Sequence, residues 1–503
     1  MGGLSCALLL VLSLVGVRVS RTDSSNGQLL GVETVSLPGA LGDVNQVRIT
    51  GDGRYALVAP FAPVHGPDNH FVSVTDLQNP SAPPTQIDLG NYYYPTNLFV
   101  TQANMVFVRA TGFDPSQPSG LPSEGILFFH LNTAADQSQP SAENITFIPI
   151  NRPVGSSDNS VIPVDFGVGL LGQFVVFTNG ASIDLVSLDG RYSYPITIIP
   201  DNRYQPLTDP QDTTSDYLAI SRLDVDQSTD IITITVNGRT QGTNYSNLYF
   251  YQMFESGPNY GNVNLLKLVT FDELPAGTSM TPGSNATSPD GRYGYFVVDN
   301  GALCRVALDG DTLGTQVDVL GSYASIAAQD PANRGPRLLQ YDKLSKHFGI
   351  VNRGNIVRVR RPGNVTRPAY ISGRGRVTRP AYVAINEVPG LVLGTIGFDG
   401  LISNTREFAD FGTGEIGISS IVFDCNGAAL FTNYSGNLIS IGNGGATGMG
   451  KSVARIGQLA LSADGTSLVG ISSFSLDAAG NQDMTNPGAL VIMNIQDPPI
   501  NTP

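Results

Sequence analysis

One local unit recurs along this chain: an alternating apolar strand, a tight turn on Asp-Gly or Asn-Gly, a second apolar strand, and further on a third strand ending near an Asp. The first copy is Val47-Arg-Ile-Thr-Gly-Asp-Gly-Arg-Tyr-Ala-Leu-Val58, with its third strand from Phe71 to Leu77. Further copies turn at Asp290-Gly291 and Asp464-Gly465, with third strands from Leu303 to Leu308 and from Ala489 to Ile495. A weaker one turns at Asn426-Gly427 and continues from Asn437 to Ile441. Glycine supplies the positive φ that so short a hairpin needs, and period-2 apolar residues give each strand a face to bury. No such unit can bury its faces alone, so neighbours must stack, as in a closed ring or an open solenoid. The 57 Gly and 33 Pro, against 14% charged residues, agree with many short strands rather than long helices.

The termini favour the ring. The last unit stops after its third strand, and Gln28 to Leu37 reads as an orphan strand that could complete it and remove an open sheet edge. The expected fold is therefore an all-β β-propeller over residues 28–497, closed by an N-terminal strand. Stretches around 94–150, 160–200, 217–270, 338–372 and 381–410 are degenerate units placed by strand content alone, which brings the tally to nine. Since propellers usually have four to eight blades, two of these count as insertions or halves, leaving seven blades, with eight the next count. The Asp-Gly-Arg turn followed by the Val-Ser-Val-Thr-Asp-Leu77 strand resembles the YVTN and lactonase-type β-propeller repeats. The resemblance covers the four units above, and it implies a propeller with any hydrolase site at its central channel. The absence of Trp speaks against WD40 and sialidase-type repeats.

The apolar run from Leu4 to Val17, followed by Arg18 and Arg21, reads as a signal peptide over residues 1–20. It is short of the roughly 20 residues of a membrane span, and no transmembrane span is expected after its removal. The expected location is secreted or extracellular. The sequons at Asn144, Asn244, Asn285, Asn364 and Asn433 fit exported surface loops. Cys304 and Cys425 remain after loss of Cys6, either as a disulfide or as two buried thiols. Their units lie some way apart around the ring, and Cα atoms more than about 7 Å apart cannot be bridged.

Gly445-Ala-Thr-Gly-Met-Gly-Lys-Ser452 matches the phosphate-loop pattern letter for letter, but the function needs a helix to follow, and here the next segment leads into the last hairpin. It reads as a Gly-rich connection between strands. The unusual feature is an Arg-rich island at 353–379: Arg353, Arg358, Arg360, Arg361, Arg367, Arg374, Arg376 and Arg379, with no acid between Asp342 and Glu387, in a chain of net charge −14. It contains the duplication Val365-Thr-Arg-Pro-Ala-Tyr370 and Val377-Thr-Arg-Pro-Ala-Tyr382. Such segregation focuses a positive potential suited to a sulfated or uronic glycan, to which Arg offers bidentate contacts; alternatively, it protects an edge hairpin from aggregation. Nucleic acid is not expected, because the rest of the chain would repel it.

His65 and His70 flank a loop with Asp68 but lack a third ligand, so no metal and no cofactor are expected. His130 and His347 stand alone, and Tyr92-Tyr-Tyr-Pro95 suits core or rim packing. No nucleophile elbow, Cys/His dyad or paired-carboxylate spacing is present. The expected function is binding or scaffolding, with an acidic glycan or an extracellular protein as partner. A lactonase-like hydrolase or lyase is the alternative from a different class, and a matrix or coat component the third. Carboxylates converging with His or Arg in the channel would favour the enzyme.

Overall fold

The computed structural model describes residues 28–37, 46–59, 70–113, 122–133, 139–150, 166–169, 171–199, 217–240, 243–276, 278, 280–309, 316–327, 337–343, 345–352, 359–360, 382–383, 390–408, 418–424, 427–433, 437–442, 445–451, 456–462, 465–472, 475–476, 482–483 and 489–496. The strands form eight four-stranded antiparallel sheets, so the ring has eight blades. Blade 1 comprises Val47–Ile49, Tyr55–Val58, Phe71–Asp76 and Thr85–Asp88. Blades 2 to 5 begin with Tyr92–Val100, Phe166–Val168, Tyr217–Asp226 and Met280–Thr287. Blades 6, 7 and 8 begin with Arg337–Asp342, Ile418–Phe423 and Ile456–Leu461.

The count falls on eight because only one pair among the nine tallied stretches was two halves of a blade. Blade 6 takes its first two strands from Arg337–Asp342 and His347–Asn352, and its last two from Gly390–Ile396 and Ile402–Phe408. Residues 353–389 lie between those halves. The expected closure is present: Gln28–Ser36 pairs antiparallel with Ala489–Gln496 as the fourth strand of blade 8.

Eight apolar cores hold the ring, one between each pair of neighbouring blades. The two-residue period of a strand explains how. In Tyr55–Val58, Tyr55 and Leu57 enter the core shared with blade 2, while Ala56 and Val58 enter the one shared with blade 8. In blade 2, Val106 and Val108 pack toward blade 1, and Phe107 packs toward blade 3. The central strands are therefore apolar on both faces and read as continuous hydrophobic runs.

Each first-to-second-strand turn has a residue of positive φ: Gly53, Asn104, Gly172, Asp230, Gly291, Lys346, Gly427 and Gly465. In the clean copies, side chains lock the turn. Thr50 accepts the Tyr55 N–H at 3.0 Å and donates its hydroxyl to Asp52, which also accepts the Arg54 N–H at 3.0 Å. Ser288, Asp290 and Tyr293 repeat the arrangement. So do Ser187, Asp189 and Tyr192, although this copy joins the third and fourth strands of blade 3.

Glu255 of blade 4 clamps the corresponding turn of blade 3, accepting the N–H groups of Leu171, Gln173 and Phe174. Burial pushes its carboxyl above the ordinary range, against the pull of these donors. Replacing Glu255 by Ala is expected to cost about 1–3 kcal/mol, the price of orphaned buried N–H groups, read as a lower denaturation midpoint. Removing residues 28–36 withdraws Val35 from its core and opens the edge of Ala489–Gln496. The expected outcome is a loss of at least about 2 kcal/mol and aggregation measurable by light scattering.

Candidate binding site at the central channel

The first strands of adjacent blades contact one another around the whole ring, so they form the wall of the central channel. Each is an edge strand with unpaired backbone groups facing inward. Neighbouring blades supply partners for several of them. Ser420 of blade 7 accepts the Leu459 N–H at 3.3 Å, Gln458 of blade 8 accepts the Val47 N–H at 3.1 Å, and Gln46 accepts the Leu98 N–H of blade 2 at 2.7 Å. This polar belt runs across four consecutive blades.

Two arginines stand on the same wall. Arg48 lies between Val47 and Ile49, both turned into the core shared with blade 8, and its guanidinium carbon sits 5.3 Å from the centre of the Phe99 ring in blade 2. It retains some exposed surface although protein encloses it. Burial, and then the charge of Arg222 from blade 4, lower its pKa to about 10, so it remains protonated at neutral pH. Arg222 is bidentate to Asp224, with contacts of 2.7 to 3.0 Å.

At the end of the channel wall on the side of the first-to-second-strand turns, Lys343 of blade 6 joins Asp226 of blade 4 and Thr287 of blade 5. Its Nζ also reaches the Ser228 hydroxyl at 2.7 Å. Burial raises the Asp226 carboxyl, but Lys343, Thr287 and the Ser228 N–H together outweigh it and leave the group below the usual carboxylate range. The cluster ties three blades, and burial lowers the pKa of the Lys343 ammonium from its ordinary value against the pull of Asp226. Replacing Asp226 by Asn strands the ammonium. The expected cost at pH 7 is about 2–4 kcal/mol, discounted from the value for a fully buried pair because each side chain still meets water. Because the folded pKa is depressed, this stability is present above the unfolded value near 4 and is lost as pH falls through the folded one. Denaturation curves of wild type and variant should therefore converge on acidification.

Of the Arg-rich island, Val359–Arg360 pairs with Tyr382–Val383 in a two-stranded sheet separate from blade 6. Arg353, Arg358, Arg361, Arg367, Arg374, Arg376 and Arg379 lie outside the described residues, as do residues 1–20, Asn364, Cys425 and His65. Cys304 is a buried free thiol in the core between blades 4 and 5, and burial raises its pKa to about 12. Asn144 is exposed on the outer strand of blade 2 at φ 55°. Asn285 is half-buried, with its amide 3.5 Å from Thr235, while Asn244 and Asn433 lie on strands.

The phosphate-loop match is a strand, Gly445–Lys451, paired with Asn437–Gly442, so its backbone is committed to the sheet. Tyr92 stacks on Phe147 at 4.7 Å. His70 approaches Asp88 at 3.5 Å, and His347 packs against Phe423. His130 is exposed on the third strand of blade 2. Among the described residues no group of three or more His, Cys, Asp or Glu could hold a metal, and no helix is long and apolar enough to cross a membrane. Sequence reading passed over Arg48, Arg222 and Lys343 because each is a single residue in a different blade; only ring closure places all three on the channel wall.

No family model matches the sequence, and neither does any curated protein. Among solved structures, the chain is similar to the Dos1 propeller at 9% identity and a TM-score of 0.49, with 93% of this chain and 95% of that one covered. A eukaryotic initiation factor shares 12% identity at a TM-score of 0.42 over 89% and 90% of the two chains. Porphyromonas gingivalis dipeptidyl peptidase 4 shares 7% at 0.45, with 86% of this chain and 57% of that one covered.

Proposed function

We propose that the protein is a secreted binding propeller that engages an acidic glycan through the ring face on which its inserted segments arise. The observation that carries this reading is the difference between the two faces. First-to-second strand connections, of four or five residues, and third-to-fourth connections, of two to ten, open on one face, three of them locked by the turn chemistry described above. Second-to-third connections and the links between blades open on the other. There the chain leaves Asn352 and returns at Gly390, and leaves Ser472 and returns at Ala489, with a small extra sheet in each excursion. Binding residues concentrate on long loops held by a rigid scaffold, and the longer excursion carries the eight arginines.

Secretion is supported by the apolar leader and by the exposure of Asn144. Binding is favoured over hydrolysis by the state of the carboxylates described on the channel wall: Asp224 is held by Arg222, Asp226 by Lys343, and Asp342 accepts from the Ser345 hydroxyl and N–H. A general base or nucleophile needs a carboxylate that is free to move a proton or attack. The matrix reading would need a contiguous apolar patch. The exposed large apolar residues are instead spread over several blades, among them Leu30, Ile145, Leu171, Val319 and Phe398.

The test is a heparin column and a glycan array with the secreted protein, comparing wild type with a variant carrying Ser at 358, 360, 361, 374 and 376. Salt-sensitive retention is expected for wild type and its loss for the variant, because exposed charge attraction is screened by salt. Equal behaviour of the two proteins would return the island to an edge-protecting role.

A further inference from the structure

The channel wall holds a cation without a counter-ion. Arg48 is enclosed by protein, yet among the described residues no carboxylate pairs with it; its Nη1 donates to the Val47 carbonyl at 3.1 Å, and its plane lies over Phe99. A guanidinium has five N–H donors. Its support comes from three blades: Phe99 in turn packs against Phe166 of blade 3 at 5.0 Å, so Arg48 from blade 1 rests over the first strand of blade 2. The charge of Arg222, on the first strand of blade 4, opposes that of Arg48. Asp224 compensates Arg222, while no described carboxylate compensates Arg48. Retaining an enclosed charge without a partner is costly, and a ligand that brings the missing negative charge removes that cost.

We propose that the central channel is a binding site for a small oxyanion, held by the free N–H donors of Arg48 and drawn in by the joint charge of Arg48 and Arg222. Carboxylate, phosphate and sulfate share the chemistry, since each matches the planar donor fork of Arg. Protein around a charge strengthens its attraction for an ion relative to open water. The site is independent of the Arg-rich segment. It has a different location, and it takes an ion rather than a polymer surface.

The experiment is isothermal titration of the full chain with sodium sulfate, sodium phosphate and sodium citrate in turn, with ionic strength held constant by chloride. Wild type is expected to give saturable 1:1 binding with at least one of the three, and the preferred one identifies the oxyanion class. Arg48→Gln should weaken that binding roughly tenfold or more, the loss expected for a charge-assisted hydrogen-bonded contact. Arg48→Lys keeps the charge but loses the fork, and it should fall between them. The five-Ser variant of the island should bind the ion as wild type does, which separates failure of this site from failure of the glycan reading. In chloride alone, Arg48→Gln is expected to unfold at or above the wild-type temperature, because it removes an uncompensated charge. Absence of saturable binding to wild type, or wild-type affinity in Arg48→Gln, would overturn the proposal. So would a lower unfolding temperature for both Arg48→Gln and Arg48→Lys, which would make Arg48 a structural prop.

Discussion

Burial of both faces of every blade is the constraint on which the rest of this molecule depends. A four-stranded sheet with alternating apolar residues on both sides has two surfaces to remove from water, and the hydrophobic driving force scales with that area. The eight cores answer it, each lying between two blades and belonging to neither alone. No blade can be completed without its neighbours, and the arrangement is free of unburied faces only when the last blade meets the first. The core joining Val469 and Ile471 to Ala56 and Val58 accomplishes this, and the antiparallel pairing of Gln28–Ser36 with Ala489–Gln496 secures it covalently distant but spatially adjacent.

Closing the ring creates a second problem, because it gathers eight edge strands around one axis. Gln46, Gln458 and Ser420 answer it locally by reaching from one blade to the backbone N–H of the next. The same convergence brings charged side chains from separate blades into one confined space. Where the charges match, as for Asp226 with Lys343, they tie blades together. Where they do not, as at Arg48, the wall keeps an enclosed charge that no described carboxylate balances. The chemistry of the channel thus follows from packing the blades, and it requires no local motif.

The inserted segments obey different rules. They lie between strands that already pair, and each carries a small separate sheet, Val359–Arg360 with Tyr382–Val383 in one and Ser475–Leu476 with Gln482–Asp483 in the other.

Local physics decided what the sequence could reveal by itself: the strand period, the Asp-Gly turns, the all-β class and the orphan N-terminal strand are all properties of a few neighbouring residues. The third strands from Phe71, Leu303, Asn437 and Ala489 were legible to within a residue or two for that reason. Blades 2, 4 and 6 were harder to read because Asn104, Asp230 and Lys346 occupy the positive-φ position that glycine marks elsewhere, held there by the surrounding sheet. The number of blades, the pairing of 337–352 with 390–408 across a 37-residue gap, and the placing of Arg48 and Arg222 on one channel wall belong to tertiary structure alone. Each depends on contacts between residues far apart in the chain, and those contacts exist only once the inter-blade cores have closed the ring.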